Sequence, residues 1–324
     1  MLLLLLLPLL CAAAAEAAAK LADRPCDIYA AGGTPCVAAH SVARALFSTY
    51  AGPLYSVRRS SDGATADIGL EAPGGFADAK AQDAFCGLGD CTVSRIFDQS
   101  ARGNHIAPPA SSDGRSYQCP SSGCLPVNAT KRQHLVGGHK VWAAVFEGQM
   151  GYRNDSTNGV ATGDEPESIY MVASGTHYND GCCFDYGNAE LDMKDDGTGT
   201  MEAVYWGNSS GGPMNHGGSG TGPWVMADLE KGLWGANVTK SHEQPLKADF
   251  VTVMVKGGAN VFAVLGGSAQ AGPLTTFYEG VRPSGAKLPG GGNYNPMRKK
   301  GVRQQLRTAM RMHLRAHHRH CGKA

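Results

Sequence analysis

Two acids stand two residues apart in Trp224-Val-Met-Ala-Asp-Leu-Glu230, an otherwise mostly apolar run. Read as a β-strand, whose side chains alternate between faces, the run puts Met226, Asp228 and Glu230 on one side and Val225, Ala227 and Leu229 on the other. Two carboxylates on one face can serve as nucleophile, general acid or general base; they can equally be the solvated face of an ordinary strand. The adjacent Cys182 and Cys183 offer a second possibility. Bridged to each other, they close a small rigid ring with an apolar sulfur face that can pack against a ligand ring. Bridged separately, they tie the segment to distant partners. His40 and His177 invite a metal or acid–base reading, but neither has a second histidine at ligand spacing, so both read as structural. Gly217-Gly-Ser-Gly-Thr-Gly222 lacks the Lys-Ser/Thr ending of a phosphate loop and reads as a turn. No metal and no cofactor is expected.

A strand that carries chemistry needs neighbours. Ser168-Ile-Tyr-Met-Val-Ala, Met201-Glu-Ala-Val-Tyr-Trp, Pro223 to Glu230, Phe250-Val-Thr-Val-Met-Val and Asn260-Val-Phe-Ala-Val-Leu are short β-rich runs divided by Gly, Asn, Asp and Ser clusters. Glycine fills 44 of 324 positions, about twice its usual share of roughly 7%, which suits many turns and argues against a helical bundle. The spacing predicts an all-β antiparallel sandwich. The exception is Val37-Ala-Ala-His-Ser-Val-Ala-Arg-Ala-Leu-Phe-Ser, whose apolar spacing predicts a short amphipathic helix near the N-terminus.

Residues 1–19 are expected to be a secretory signal peptide. Their leucine-rich run ends in alanines at Ala15 and is too short to cross a bilayer, and the alanines around Glu16 supply a cleavage region, although no lysine or arginine precedes the run. Secretion makes the ten cysteines disulfide candidates; Cys11 leaves with the signal and Cys321 is left over. Four Asn-X-Ser/Thr sequons, at Asn128, Asn154, Asn208 and Asn237, fit a glycosylated extracellular surface. Residues 20–297 read as one domain. Residues 298–324 form a basic tail with nine lysines and arginines and no acid, so the rest of the chain holds 20 basic against 28 acidic side chains, a charge of −8 behind an overall +1. An acidic body carries no nucleic-acid footprint. A soluble, secreted monomer with no membrane partner is expected.

Five segments stand in order between Arg24 and Met297: Pro25-Cys-Asp-Ile-Tyr-Ala-Ala-Gly-Gly-Thr-Pro-Cys-Val-Ala-Ala-His40, Ser61-Asp-Gly-Ala-Thr-Ala-Asp-Ile-Gly69, Phe97-Asp-Gln-Ser-Ala-Arg-Gly-Asn-His105, Gly175-Thr-His-Tyr-Asn-Asp-Gly-Cys-Cys-Phe-Asp-Tyr-Gly-Asn-Ala-Glu190 and Pro223-Trp-Val-Met-Ala-Asp-Leu-Glu-Lys-Gly-Leu233. They resemble the catalytic domain of the fungal-type α-L-arabinofuranosidase B enzymes, glycoside hydrolase family 54. The resemblance implies a lectin-like jelly-roll β-sandwich. It implies an exo-acting enzyme that releases terminal non-reducing arabinofuranose from arabinoxylan or arabinan by a retaining mechanism, with arabinose-containing plant cell-wall polysaccharides as its partners. Under it, Glu230 matches the nucleophile, Asp228 a residue that hydrogen-bonds the sugar hydroxyls, and Cys182–Cys183 a vicinal bridge serving as a sugar platform. It also implies the pairs Cys26–Cys36 and Cys86–Cys91. Cys119–Cys124 can close a further loop but has no family counterpart. Asp185, Tyr186 and Glu190 lie near the cysteine pair without an assigned role.

The chain departs from the pattern in three places. The family's general acid is an aspartate in a Gly-Gly-Asp-Asn segment beyond the motif that here is Tyr294-Asn-Pro-Met297, and the stretch from Arg298 to Ala324 holds no acid. In a second alignment, anchored on Thr276-Phe-Tyr-Glu-Gly280, the same place is taken by Gly266-Gly-Ser-Ala-Gln270, so the acid/base aspartate is missing either way. The tail therefore reads as translation out of frame or across a mispredicted exon. Near Asn215 the family has a pocket aromatic where this chain reads Gly211-Gly-Pro-Met-Asn-His216, and the C-terminal arabinose-binding β-trefoil of family members is expected to be absent. The alternative is a catalytically impaired, secreted paralogue that binds arabinose polysaccharides.

Overall fold

The structure, a computed structural model, describes residues 24–110, 119, 122–161, 165–178, 184–190, 201–208, 222–229, 233–235, 245–258, 261–282 and the backbone of 302–308. The N-terminal part holds α1 (Pro25–Ala31), β1 (Tyr55–Arg59), β2 (Thr65–Ile68), α2 (Ala79–Cys86), β3 (Cys91–Ile96), β4 (Gln133–Val136) and β5 (His139–Trp142). There follow β6 (Met150–Asn154), β7 (Glu167–Ser174), β8 (Phe184–Glu190), β9 (Glu202–Gly207), β10 (Trp224–Asp228), β11 (Leu233–Trp234), β12 (Phe250–Gly257), β13 (Phe262–Ser268), β14 (Thr275–Gly280) and β15 (Val302–Thr308). Among the described residues, these strands pair with one another antiparallel throughout. The predicted β-rich runs are strands β7, β9, β10, β12 and β13.

Two sheets carry the architecture, one of six strands ordered β11-β10-β9-β8-β15-β6 and one of four ordered β14-β13-β12-β7. They share a core because alternate side chains turn inward. Val204 and Trp206 of β9, with Val225 and Ala227 of β10 and then Leu229, join Val251, Val253 and Val255 of β12 and Phe262 and Val264 of β13 in one apolar cluster. The Trp206 indole N–H also donates to the Ser174 carbonyl of β7 at 3.1 Å, a polar tie between the sheets. A three-stranded sheet, β2-β1-β3, with α2 against it, extends the same cluster through Tyr55, Val57, Ile68, Val93 and Ile96. Tyr152 of β6 sutures it to the larger sheet, donating to the Val93 carbonyl at 2.7 Å and accepting from the Val127 N–H at 2.9 Å. The sandwich is thus the expected all-β antiparallel kind.

The helix predicted over 37–48 is not formed; among the described residues the short helices are α1 and α2, on either side of it. Its backbone is claimed by other partners. The Ser41 hydroxyl accepts from the Ala43 and Arg44 N–H groups, the Ala39 N–H donates to Asp98, the Leu46 N–H to Gln99, and the Ala45 N–H to the Gly75 carbonyl. Serine competing for backbone donors, together with side-chain acceptors from a distant loop, outweighs a weak amphipathic pattern. Disulfides join Cys26 to Cys36, Cys86 to Cys91 and Cys119 to Cys124. Cys182–Cys183 lies outside the described residues.

Residues 302–308, part of the basic tail, are an interior strand. β15 pairs with β8 from Val302 opposite Glu190 to Thr308 opposite Phe184, and with β6 from Gln304 opposite Asn154 to Thr308 opposite Met150. A central strand satisfies backbone donors and acceptors on both sides, and removing it leaves two bare edges. A chain ending at Met297 is therefore expected to be recovered mainly as aggregate and to lose cooperative thermal unfolding, measured by soluble yield and a circular dichroism melt. A truncated chain that melts like the full one would show the strand to be dispensable.

Candidate active site

The predicted alternation in β10 holds. Val225, Ala227 and Leu229 enter the inter-sheet core, while Met226 joins Trp224, Tyr205 and Leu233 in a separate cluster on the outer face of the six-stranded sheet. Asp228 shares that outer face and is 5% exposed. The register arranges the face in rows across β8, β9 and β10. Asp185, Tyr205 and Met226 form one row; Gly187, Ala203 and Asp228 form the next. Asp185 is fully buried. From strand spacing and rise, its Cα lies on the order of 12 Å from that of Asp228, with Tyr205 and Ala203 between.

The residues beside Asp228 in its row are small. Ala203 faces it directly, and the next position in the row is Gly187. A Cβ added to Gly187 would sit 2.4 Å from the Glu202 carbonyl oxygen and 2.5 Å from the Ala203 Cα, so no larger residue fits unless β8 and β9 separate. The floor next to Asp228 is therefore close-packed backbone.

β8 is held from beneath by the N-terminal segment. The half-buried Tyr186 places its hydroxyl 2.9 Å from His40 Nδ1, and His40 Nε2 lies 2.8 Å from the Asn104 carbonyl. A carbonyl only accepts, so Nε2 carries the proton and Nδ1 accepts from Tyr186. Burial pushes His40 below the usual histidine range, against the nearby Asp98 carboxylate, and burial pushes the Tyr186 phenol up; both stay neutral. Asp98 fixes the loop that presents Asn104, accepting from the N–H groups of Ala39, Ser100 and Asn104 and from the Ser100 hydroxyl at 2.6–2.9 Å. His40 is thus the satisfied structural histidine that its spacing suggested. His177 is half-buried, with its ring pushed down by burial.

Of the sequence-predicted site residues, Asp228 is placed as described, and Glu230, Cys182 and Cys183 lie outside the described residues. Asn128 is half-buried, its amide oxygen accepting from the Thr130 N–H at 2.8 Å; Asn154 lies on β6 and accepts from the Ser156 N–H at 2.8 Å; Asn208 follows β9. Asn237 is outside the described residues. Among the described residues, no group of three His, Cys, Asp or Glu side chains is placed to hold a metal ion. Tyr205 was not singled out from sequence and Asp185 received no role. The alternation of Phe184-Asp-Tyr-Gly puts Asp185 and Gly187 on one face, but only the register brings them beside β9 and β10.

The family profile described as "Alpha-L-arabinofuranosidase B, catalytic" matches residues 25–303, and the chain belongs to that family. It is 48% identical over 282 residues to an alpha-L-arabinofuranosidase B of Penicillium canescens, covering 86% of this chain and 58% of the relative. It is 46% identical over 288 residues to the alpha-L-arabinofuranosidase B of Emericella nidulans, covering 87% and 54%. The chain spans little more than half the length of these relatives. Among solved structures, it resembles an arabinofuranosidase complexed with arabinofuranosyl-alpha-1,2-xylobiose, with a TM-score of 0.77 at 41% identity over 88% of this chain and 57% of the other. It also resembles a Glu-to-Gln mutant of a GH54 α-L-arabinofuranosidase soaked with 4-nitrophenyl α-L-arabinofuranoside, with a TM-score of 0.74 at 38% identity over 90% and 62%.

The Gly187 contacts give a test of the floor. Gly187→Ala is expected to destabilise the fold toward the upper end of the roughly 1–3 kcal/mol seen for overpacking, because the opposing atoms are backbone. Chemical denaturation of the purified protein measures the loss, and a variant as stable as the parent would contradict the close packing of β8 on β9.

Proposed function

We propose that this chain is the catalytic module of an exo-acting α-L-arabinofuranosidase that releases terminal non-reducing arabinofuranose from arabinoxylan or arabinan with retention of configuration. The observation that supports it most directly is Asp228, buried on the outer face of β10 beside the Ala203 and Gly187 floor, in a chain of this family. Glu230 is the nucleophile, attacking the anomeric carbon to form a glycosyl-enzyme. Asp228 accepts hydrogen bonds from the sugar hydroxyls and fixes the ring. The Cys182–Cys183 bridge packs against the furanose. A retaining enzyme needs a second carboxyl about 5 Å from the nucleophile to protonate the leaving oxygen and then activate water. No residue of this chain matches the family's aspartate in that role.

That missing match favours a second reading, a secreted paralogue that binds arabinose polysaccharides without turning them over. Either form is read as an extracellular, glycosylated monomer acting on neutral glycans. The leaving group separates the two. Positioned proton transfer is worth typically 10²–10⁴-fold, so a chain that keeps Glu230 and lacks the acid should cleave 4-nitrophenyl α-L-arabinofuranoside, whose leaving group needs little help, while cleaving arabinoxylan slower than a complete relative by about that factor. Glu230→Gln is expected to abolish release of nitrophenol while leaving polysaccharide binding intact. Binding without turnover in both the parent and Glu230→Gln would sink the enzymatic reading and leave the binding protein.

A further inference from the structure

The brace beneath β8 is closed at its far end by an exposed residue. Asn104, 1% exposed, presents its backbone carbonyl to His40 and uses its side chain elsewhere. Its Nδ2 donates to the Val37 carbonyl at 2.7 Å and to the Asn158 carbonyl at 3.0 Å, and its Oδ1 accepts from the Asn158 N–H at 2.7 Å. Both carbonyls can only accept, so one orientation of the amide satisfies all three bonds. Asn158 is thus clasped through its own backbone N–H and C=O, which must keep the spacing of a single α-amino acid residue to meet both ends of one amide. Asn158 is exposed, and it is the one asparagine of the sequence followed by glycine. Gly159 is exposed too and lies at a φ of 73°. A Cβ added to it would stand 3.3 Å from Cζ and 3.4 Å from Nε and Nη1 of Arg102, so a guanidinium lies over this turn.

These features fit one covalent reaction. Glycine leaves the backbone nitrogen after Asn158 unshielded and the peptide free to turn, so that nitrogen can meet the side-chain carbonyl carbon. The nearby guanidinium favours the anionic form of the amide as it attacks. We propose that Asn158–Gly159 is a self-modification site, a spontaneous deamidation that opens the clasp on Asn104. The Gly159 nitrogen gives its proton to water and bonds to Asn158 Cγ; the Cγ–Nδ2 bond breaks, and that nitrogen takes up a proton and leaves as ammonia. The succinimide so formed takes up one water. Opening at Cγ gives aspartate on an ordinary backbone. Opening at the main-chain carbonyl carbon gives isoaspartate, with the chain routed through Cβ and Cγ. In the isoaspartate form an extra carbon separates the N–H from the carbonyl that precedes Gly159, so one Asn104 amide no longer reaches both. A buried amide then loses a partner, which is costly. Asn104 is also the residue that holds His40 and, through it, Tyr186 of β8, so the loss passes to the strand beside the proposed site.

Peptide mapping by mass spectrometry tests the chemistry. After warm incubation of the folded protein in mildly alkaline buffer, the peptide holding Asn158 is expected to gain the mass difference between asparagine and aspartate and to split into aspartate and isoaspartate forms. An Asn158 that survives the incubation overturns the proposal. Melting tests the consequence. The incubated parent is expected to unfold about 2–4 °C below the fresh protein. Asn158→Gln, incubated alongside, is expected to keep its Tm, because the longer side chain cyclises slowly. Fresh Asn158→Asp, which has the added charge on an ordinary backbone, is expected to unfold with the fresh parent. Conversion with an unshifted Tm, a loss shared by Asn158→Gln, or a fresh Asn158→Asp that melts as low as the incubated parent would each overturn the clasp and with it the proposal. None of these readouts depends on hydrolysis.

Discussion

The antiparallel register of β9 against β8 and β10 is the constraint on which the rest depends. It sends Val204 and Trp206 into the core and leaves Ala203 and Tyr205 on the outer face, and it sets Asp228 opposite Ala203 rather than opposite a bulky residue. A one-residue slip of β10 would exchange its faces. Asp228 would then enter the apolar core and Ala227 would replace it outside. Each large apolar side chain turned out of the core forfeits about 1.5–3 kcal/mol, and a carboxylate brought in unpaired costs several more. Those costs are comparable with the whole net stability of a domain, about 5–15 kcal/mol, so the core that builds the sandwich also fixes which side chains stand on its outer face.

The sheet does not hold itself. β8 brings Asp185 and Gly187 to the outer face and Tyr186 to the inner one, where the N-terminal segment receives it through His40 and Asn104. The loop around Asp98 that presents Asn104 is ordered by four hydrogen bonds to one carboxylate. Two segments singled out for their family resemblance, those ending at His40 and His105, thus meet as a brace under the strand that follows the cysteine pair. Their contribution to the site is mechanical, since both His40 and Tyr186 are held neutral by burial.

The strands were legible in the sequence because β-branched and aromatic residues cluster between turn formers, and the faces of β10 were legible because its alternation is strict. The segment 37–48 was misleading for a physical reason: its apolar spacing carries no information about Asp98 and Gln99, which take its N–H groups from more than fifty residues away. The row of Asp185, Tyr205 and Met226 was hidden for a related reason, since it exists only through register. β15 was disguised by composition, its arginines and glutamines concealing an alternating Val302, Gln304, Leu306, Thr308 series. A buried acid of β9 left a faint trace, because Glu202 shares the parity of Val204 and Trp206.

Burial alone does not make an acid catalytic, and the two faces of the six-stranded sheet show why. Glu202 and Asp228 are almost equally buried and belong to neighbouring strands. Glu202 is bonded to a buried guanidinium and packed against Gly257 of the opposing sheet, so its negative charge is already neutralised. A carboxylate so paired is a weak nucleophile and a weak acceptor for a sugar hydroxyl. Asp228 lies on the outer face, where its row across β9 and β8 consists of Ala203 and Gly187. With Glu202 turned inward and Asp228 turned outward, the one backbone register sets both the buried ion pair of the core and the acid of the proposed site.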